Sequence, residues 1–288
     1  MDNNHSTNEL RPLYENGRKG FTARLSGYVR NIKKYSYLLK QLIRTDIVVA
    51  YKRSFIGLSW LVITPILSVL VWVLLHSAGI IDPGEMDIPY PAYVLLSTSI
   101  WSFFQGSYSI TSNVINNSGR FMVSAKFPHE VLVAQQIMVH CINFITPFLI
   151  NIITLLLYGI KFHLIALLFP FALIPVLLLG TGIGLLVALL RIVAVDFSRL
   201  ADQLIGFLMF LTPIVFAPKI ELPWLSNIVK FNPLTYLIGF PRDLLTQGKF
   251  YETNLYLMCS GVSILFFFFC ISVFMKYEER LLERLIIV

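Results

Sequence analysis

The chain alternates between long apolar runs and short polar joints, and the run lengths give the first guide to its architecture. A helix needs about 20 mostly apolar residues to cross the hydrocarbon core of a bilayer. Five runs meet that requirement, over residues 57–78, 93–115, 131–158, 164–190 and 255–275. A sixth, 204–216, is apolar but short and carries Pro213 near its end. Ahead of the first run the period changes. Tyr35, Leu38, Leu39, Leu42 and Ile43 recur at helical spacing, with Lys33, Lys34, Lys40, Gln41 and Arg44 on the other faces. This stripe predicts an amphipathic helix lying along the membrane surface. A simple juxtamembrane anchor fits the same residues.

The pattern predicts an all-α polytopic membrane protein with six transmembrane helices. A flexible cytoplasmic tail covers 1–30, because Asn, Ser, Gly and Arg dominate there. The amphipathic interface helix covers 31–55, the six-span domain 56–276 and a cytoplasmic C-terminal tail 277–288.

Composition agrees. Hydrophobic residues make up 56% of the chain and charged residues 14%, with a mean hydropathy of +0.72, which excludes a soluble domain. The first thirty residues hold no apolar core of the length a cleavable signal peptide needs. The net charge of +7 raises the question of nucleic acid, but its distribution answers it. With the N-terminus inside, 18 of the 23 Lys and Arg residues fall on the inner side of six crossings. That asymmetry is the positive-inside signal, and it predicts both termini in the cytoplasm and no nucleic-acid partner. Cys141, Cys259 and Cys270 lie within apolar runs and read as small buried hydrophobes.

The spans carry little chemistry of their own. His140 is the one ionisable side chain near mid-depth, and such a histidine serves most often as a helix-to-helix hydrogen-bond partner, as do Asn143 and Asn151. Arg191, Asp196, Arg199 and Asp202 cluster at the cytoplasmic end of the fourth and fifth spans. An ion-coupled transporter needs charged groups deeper than that. Gly248-Lys249 lacks the upstream glycine of a P-loop, and no metal-ligand or Ser/His/Asp set has plausible placement. Any transport by this chain therefore needs an outside energy source.

Two connecting segments stand out. The inner loop 116–130 carries Phe121, Met122 and Phe127 among Arg120, Lys126 and Pro128. Apolar groups rimmed by charge mark a docking surface, and packing against the interface helix would employ them equally well. The outer segment 218–250 is too apolar for an open loop. It predicts two short helices dipping back into the membrane, broken at Pro223 and at Asn232-Pro233. Tyr90 and Tyr93 suit an outer aromatic belt, whereas Trp101, Phe103, Phe104 and Tyr108 lie deeper.

Three separated motifs resemble one family. They are Arg44/Asp46 with Tyr51-Lys52-Arg53-Ser54, Gly57, Trp60 and Pro65; Asp196-Phe197 followed by 210–216; and Asn232-Pro233-Leu234 followed by Arg242-Asp243-Leu244-Leu245 and Gly248. Together, over residues 30 to 280, they resemble the type-2 ABC permeases that export O-antigen, capsule or teichoic acid polymers. The resemblance implies a homodimer in the bacterial inner membrane, bound to two copies of a separate ATPase subunit that holds ATP and magnesium. No cofactor is then bound by this chain, and the cargo is a polysaccharide on a polyprenyl diphosphate lipid.

It further implies a coupling helix at Arg120, Phe121, Met122, Lys126, Phe127 and Pro128. Arg44, Tyr51, Lys52 and Arg53 become the cytoplasmic entrance, and Tyr93, Trp101, Phe104 and Tyr108 an aromatic conduit for sugars. Trp224, Phe231, Asn232, Pro233, Tyr236 and Arg242 become the periplasmic gate. Val195 departs from the arginine that family members often carry before the aspartate, which leaves Arg191 or Arg199 as the substitute. Two other readings stay open: an exporter of drugs or small lipids, and a membrane enzyme using Asp82, Glu85 and Asp87 on polyprenyl-linked sugars.

Overall fold

The computed structural model describes residues 21–52, 59–115, 129–219, 222–248 and 252–287. All regular structure among them is helical. The ten longer helices among the described residues are α1 Phe21–Lys34, α2 Ser36–Lys52, α3 Trp60–Ser77, α4 Tyr90–Ser112, α5 His129–Leu157, α6 Ile174–Val193, α7 Val195–Leu208, α8 Pro223–Phe231, α9 Pro233–Thr246 and α10 Thr253–Ile287, with short helical turns at Leu164–Leu168, Phe169–Ala172 and Met209–Leu211. Within the described residues three stretches are long and apolar enough to cross a membrane by length and composition, namely Glu130–Leu157, Leu164–Val193 and Thr253–Tyr277. The chain is an all-α membrane protein.

Helix α6 is the hub. It lies between α4 and α10, and glycine allows both approaches. A Cβ on Gly180 would stand 2.1 Å from Ser107 Oγ, and one on Gly184 2.0 Å from Thr111 Oγ1, so α4 touches backbone there. Gly182 faces the other way, toward Phe267 and Cys270 of α10. Lipid is as apolar as leucine, so hydrophobicity alone does not join helices in a bilayer, and close packing of small residues does. Helix α5 adds to the far side of α4, with His140 Nε2 donating to the Phe103 carbonyl at 2.9 Å and its ring stacked on Phe103. The expected role of His140 between helices is what the structure shows.

Two differences from the sequence expectations concern the N-terminal region. Helix already covers Phe21–Lys34, the last ten residues of the expected flexible tail among them, and the interface helix is two helices meeting at Tyr35. The apolar stripe also has a different partner. Leu39 is buried beside Val114, Val131, Leu185 and Phe274, with Leu38, Leu42 and Ile43 packed around it. The stripe covers one end of the bundle instead of facing lipid. Polar bonds fix it there: Asn31 donates to Glu130 at 2.6 Å, and Gln135 donates to Asp46. Arg53, Ser54 and Gly57 of the first motif lie outside the described residues.

Candidate functional site

Helix α7 is little covered by its neighbours, with only Ser198 and Ile205 buried. Phe197, Leu200, Leu204 and Phe207 form an exposed apolar face along it. It ends in a single tight turn at Met209–Leu211, after which residues 212–219 run without regular hydrogen bonding. Irregular backbone at membrane depth needs its polar groups satisfied from elsewhere. Side chains of α4 and α9 meet that need.

The clamp beyond α7 gathers residues far apart in sequence. Tyr90 donates to the Val215 carbonyl at 3.1 Å, and Tyr93 donates to those of Pro213 and Phe216 at 3.2 and 3.0 Å. Asn232 works in two directions. Its Oδ1 accepts from Leu234 N at 3.0 Å as the N-cap of α9, and its Nδ2 donates to Thr212 Oγ1 at 2.9 Å. Arg242 sits beneath, only 5% exposed. Its Nε donates to Asp243 at 3.0 Å, its Nη1 to Ser97 Oγ and the Pro213 carbonyl, and its guanidinium lies 4.2 Å above the Tyr93 ring. A guanidinium buried to this degree is tolerable because carboxylate, carbonyl and ring share its charge.

A second clamp grips α7 lower down. Arg191 of α6 pairs with both oxygens of Asp202 at 2.6 and 2.8 Å, and Tyr108 of α4 donates to the same carboxylate at 2.6 Å. Arg191 also reaches Ser112 Oγ at 3.3 Å. Three helices meet in this cluster. Asp196, by contrast, faces solvent and pairs loosely with Arg199 at 3.6 Å. Of the two arginines offered as substitutes at Val195, Arg199 is the one beside Asp196, and Arg191 is engaged elsewhere.

Three hollows adjoin these clamps. The first, about 380 Å³, opens between the 213–219 segment, α8, α9 and the start of α10. A smaller one of about 190 Å³ shares Pro218, Lys219, Arg242 and Asp243 with it and extends to Glu85, Asp87 and Tyr93. The third, about 400 Å³, lies between α3, α4 and α5; its walls are mostly apolar, with Thr64, Ser68, Thr98, Ser99, Ser102 and Asn143 among the lining residues. Thr98 Oγ1 is buried there without a hydrogen-bond partner.

The residues singled out in the sequence fall into separate groups. Asn232, Tyr236 and Arg242 come together around the first clamp and hollow, and Pro233 opens α9 beside them. Trp224 and Phe231 stand outside it on α8, 62% and 88% exposed. Tyr93 and Tyr108 belong to the two clamps, while Trp101 and Phe104 are packed inside the core with their rings 5.3 Å apart. A sugar could reach those two rings only if α4 parted from its neighbours. Arg44 is exposed on α2. Arg53 and the coupling residues Arg120, Phe121, Met122, Lys126, Phe127 and Pro128 lie outside the described residues, as do the side chains of Tyr51 and Lys52.

Sequence reading missed the Gly180/Gly184 seam and the Arg191–Asp202 pair. The glycines, four apart in an apolar run, are a readable small-residue signal for helix contact. The pair is eleven residues apart across a helix break and matches no periodic rule.

Comparison with known proteins places this architecture. The profile of the ABC-2 type transporter family matches residues 37–245. The O-antigen export system permease protein RfbA of Myxococcus xanthus is 21% identical over 262 residues, covering 89% of this chain and 98% of that protein. The protein of the same name from Klebsiella pneumoniae is 24% identical over 251 residues, covering 86% of this chain and 95% of its own. The match to the family spans both clamps and the seam between α4 and α6, and the chain belongs to the ABC-2 type transporter family.

Proposed function

We propose that this chain is the membrane permease of an ATP-driven exporter of lipid-linked polysaccharide across the bacterial inner membrane. The observation that carries this reading is the near full-length similarity to two permeases named for O-antigen export. Exposed Ser102, Gln105 and Ser109 form a polar face along α4, and a hydrated polymer crossing a bilayer needs such groups along its way.

In this reading α3, α4, α5, the hairpin-preceded α6, α7 and α10 are the six crossings, with both termini in the cytoplasm. Two copies assemble with two copies of a separate ATPase subunit, which holds the ATP and magnesium. The 116–130 loop couples ATP hydrolysis to the membrane helices. Helix α7, gripped at Asp202 and just beyond its C-terminal end, yields during transport together with α8 and α9. Tyr93, Trp101, Phe104 and Tyr108 then meet the polymer only as the helices part. Arg44, Tyr51, Lys52 and Arg53 attract the lipid diphosphate at the cytoplasmic side.

Depleting the chain in its host tests this. Polyprenyl-linked polysaccharide is expected to accumulate inside the cytoplasm while the surface layer is lost. An unchanged surface layer would overturn the polymer reading.

A further inference from the structure

The first hollow has a composition that the gate reading does not account for. Its volume, about 380 Å³, falls in the range of small-ligand sites. Its walls combine three kinds of group. Phe240 and Tyr256 are stacked ring on ring at 3.9 Å on one side, and Tyr236 stands nearby. Lys219, Lys230 and Arg242 supply donors. Asp243 and Glu252 supply acceptors.

Arg242 points to a ligand more directly. Its Nε and Nη1 are taken up by Asp243, Ser97 and the Pro213 carbonyl, and Nη2 takes part in none of those bonds. Nη2 lies beside Gly239, where a Cβ would stand 3.6 Å away. The missing side chain at position 239 leaves the guanidinium open toward the hollow that both residues line.

We propose that this hollow binds a sugar residue of the polymer, with vicinal hydroxyls accepting from Arg242 and donating to Asp243. The mixture of charges selects this chemistry. A phosphate or sulfate would meet two carboxylates at close range, which favours a neutral polyol. Fixed donor and acceptor pairs next to aromatic rings match alternating hydroxyls and apolar C–H faces. The smaller hollow shares the Arg242–Asp243 shelf, so a neighbouring sugar can follow the first under the Pro218-Lys219 segment. The identity of the ligand as part of an exported polymer rests on the function proposed above. The binding of a sugar does not.

The test is saturation-transfer difference NMR on the full chain in lipid nanodiscs, using methyl glycosides of glucose, galactose and mannose and free N-acetylglucosamine as probes. Saturable binding of at least one probe is expected. Gly239→Leu places a side chain over Arg242 Nη2 and should weaken binding about tenfold or more, the loss expected when a charged hydrogen bond is blocked. Ser226→Leu fills the hollow from the α8 wall and should do the same, while Gly239→Ala, whose Cβ makes only ordinary contact, should bind as the parent does. Three results would overturn the proposal: no saturable binding to the parent chain, equal binding to both leucine variants, or binding of inorganic phosphate in place of the glycosides. The export reading stands or falls separately on the depletion experiment.

Discussion

The seam between α4 and α6 and the junction beyond α7 both lean on α4, yet different forces hold them. Along the seam the contact is backbone against small side chain. Gly180 and Gly184 bring the helices so close that Ser107 and Thr111 fill the gap, and both hydroxyls bond back to carbonyls of their own helix. Beyond α7 the backbone itself is irregular, and Tyr90, Tyr93, Asn232 and Arg242 reach across to its carbonyls and hydroxyl. The seam has one good arrangement, because packed surfaces resist sliding. The junction is a set of separate polar bonds, which can be exchanged one at a time. A rigid hub beside an exchangeable clamp is a sensible division of labour for a protein that must open and close.

The largest effect should come from the clamp's cation. Arg242→Met leaves Asp243, 14% exposed, without its partner, and removing one member of a buried pair costs about 3–5 kcal/mol. Thermal unfolding of the purified chain in detergent would register this. Next is the seam. Gly184→Leu would force α4 and α6 apart at Thr111 and the Tyr108 carbonyl, and overpacking of this kind costs about 1–3 kcal/mol. Gly206→Leu on α7 is the matched control, since nothing lies within 4 Å of its Cβ position. Equal destabilisation by the two leucines would break the distinction between packed seam and open α7.

Asp202→Asn weakens the lower clamp but keeps the shape of the side chain. Hydrogen bonds to charged groups contribute about 1.5–3 kcal/mol each, and Asp202 is about one-third exposed, so a loss near the lower bound is expected. A double-mutant cycle with Tyr108→Phe would show coupling between the two residues. Additive effects would mean that the tyrosine and the carboxylate act independently. The smallest effect belongs to His140→Leu, which removes a single interhelical bond, and such bonds average about 0.6 kcal/mol within membranes.

Much of the fold was legible in the sequence because a bilayer makes hydrophobic length decisive. The runs that became α3, α4, α5, α6 and α10 were visible from apolar content alone, whereas the short run read over 204–216 overlaps α7, Val195–Leu208, only at its start and is irregular beyond Leu211. Asn232-Pro233 was read as a break, and it marks the N-cap of α9. Helix α1 was hidden by its composition. Arg24, Arg30, Lys33 and Lys34 make it look like a polar tail, although Asn31 and Ile32 dock it onto the bundle. The apolar stripe of α2 was found but given lipid as its partner, because a stripe records that a face is covered and not by what. The bonds of the clamps could not be read, although Asn232 and Arg242 were grouped in one region and Arg191 and Asp202 in another. Tyr93 and Pro213 are 120 residues apart, and only the folded chain brings them together.

The central claim is that transport depends on the tyrosines of α4 holding both α7, at Asp202, and the segment beyond it, at Pro213 and Phe216. Surface polysaccharide in cells carrying Tyr93→Phe and Tyr108→Phe together, measured against the parent and against depleted cells, tests it most directly. Each substitution removes one hydroxyl and leaves the ring packing in place. The account predicts normal amounts of membrane-inserted protein and export well below that of the parent. Full export by the double variant would contradict it.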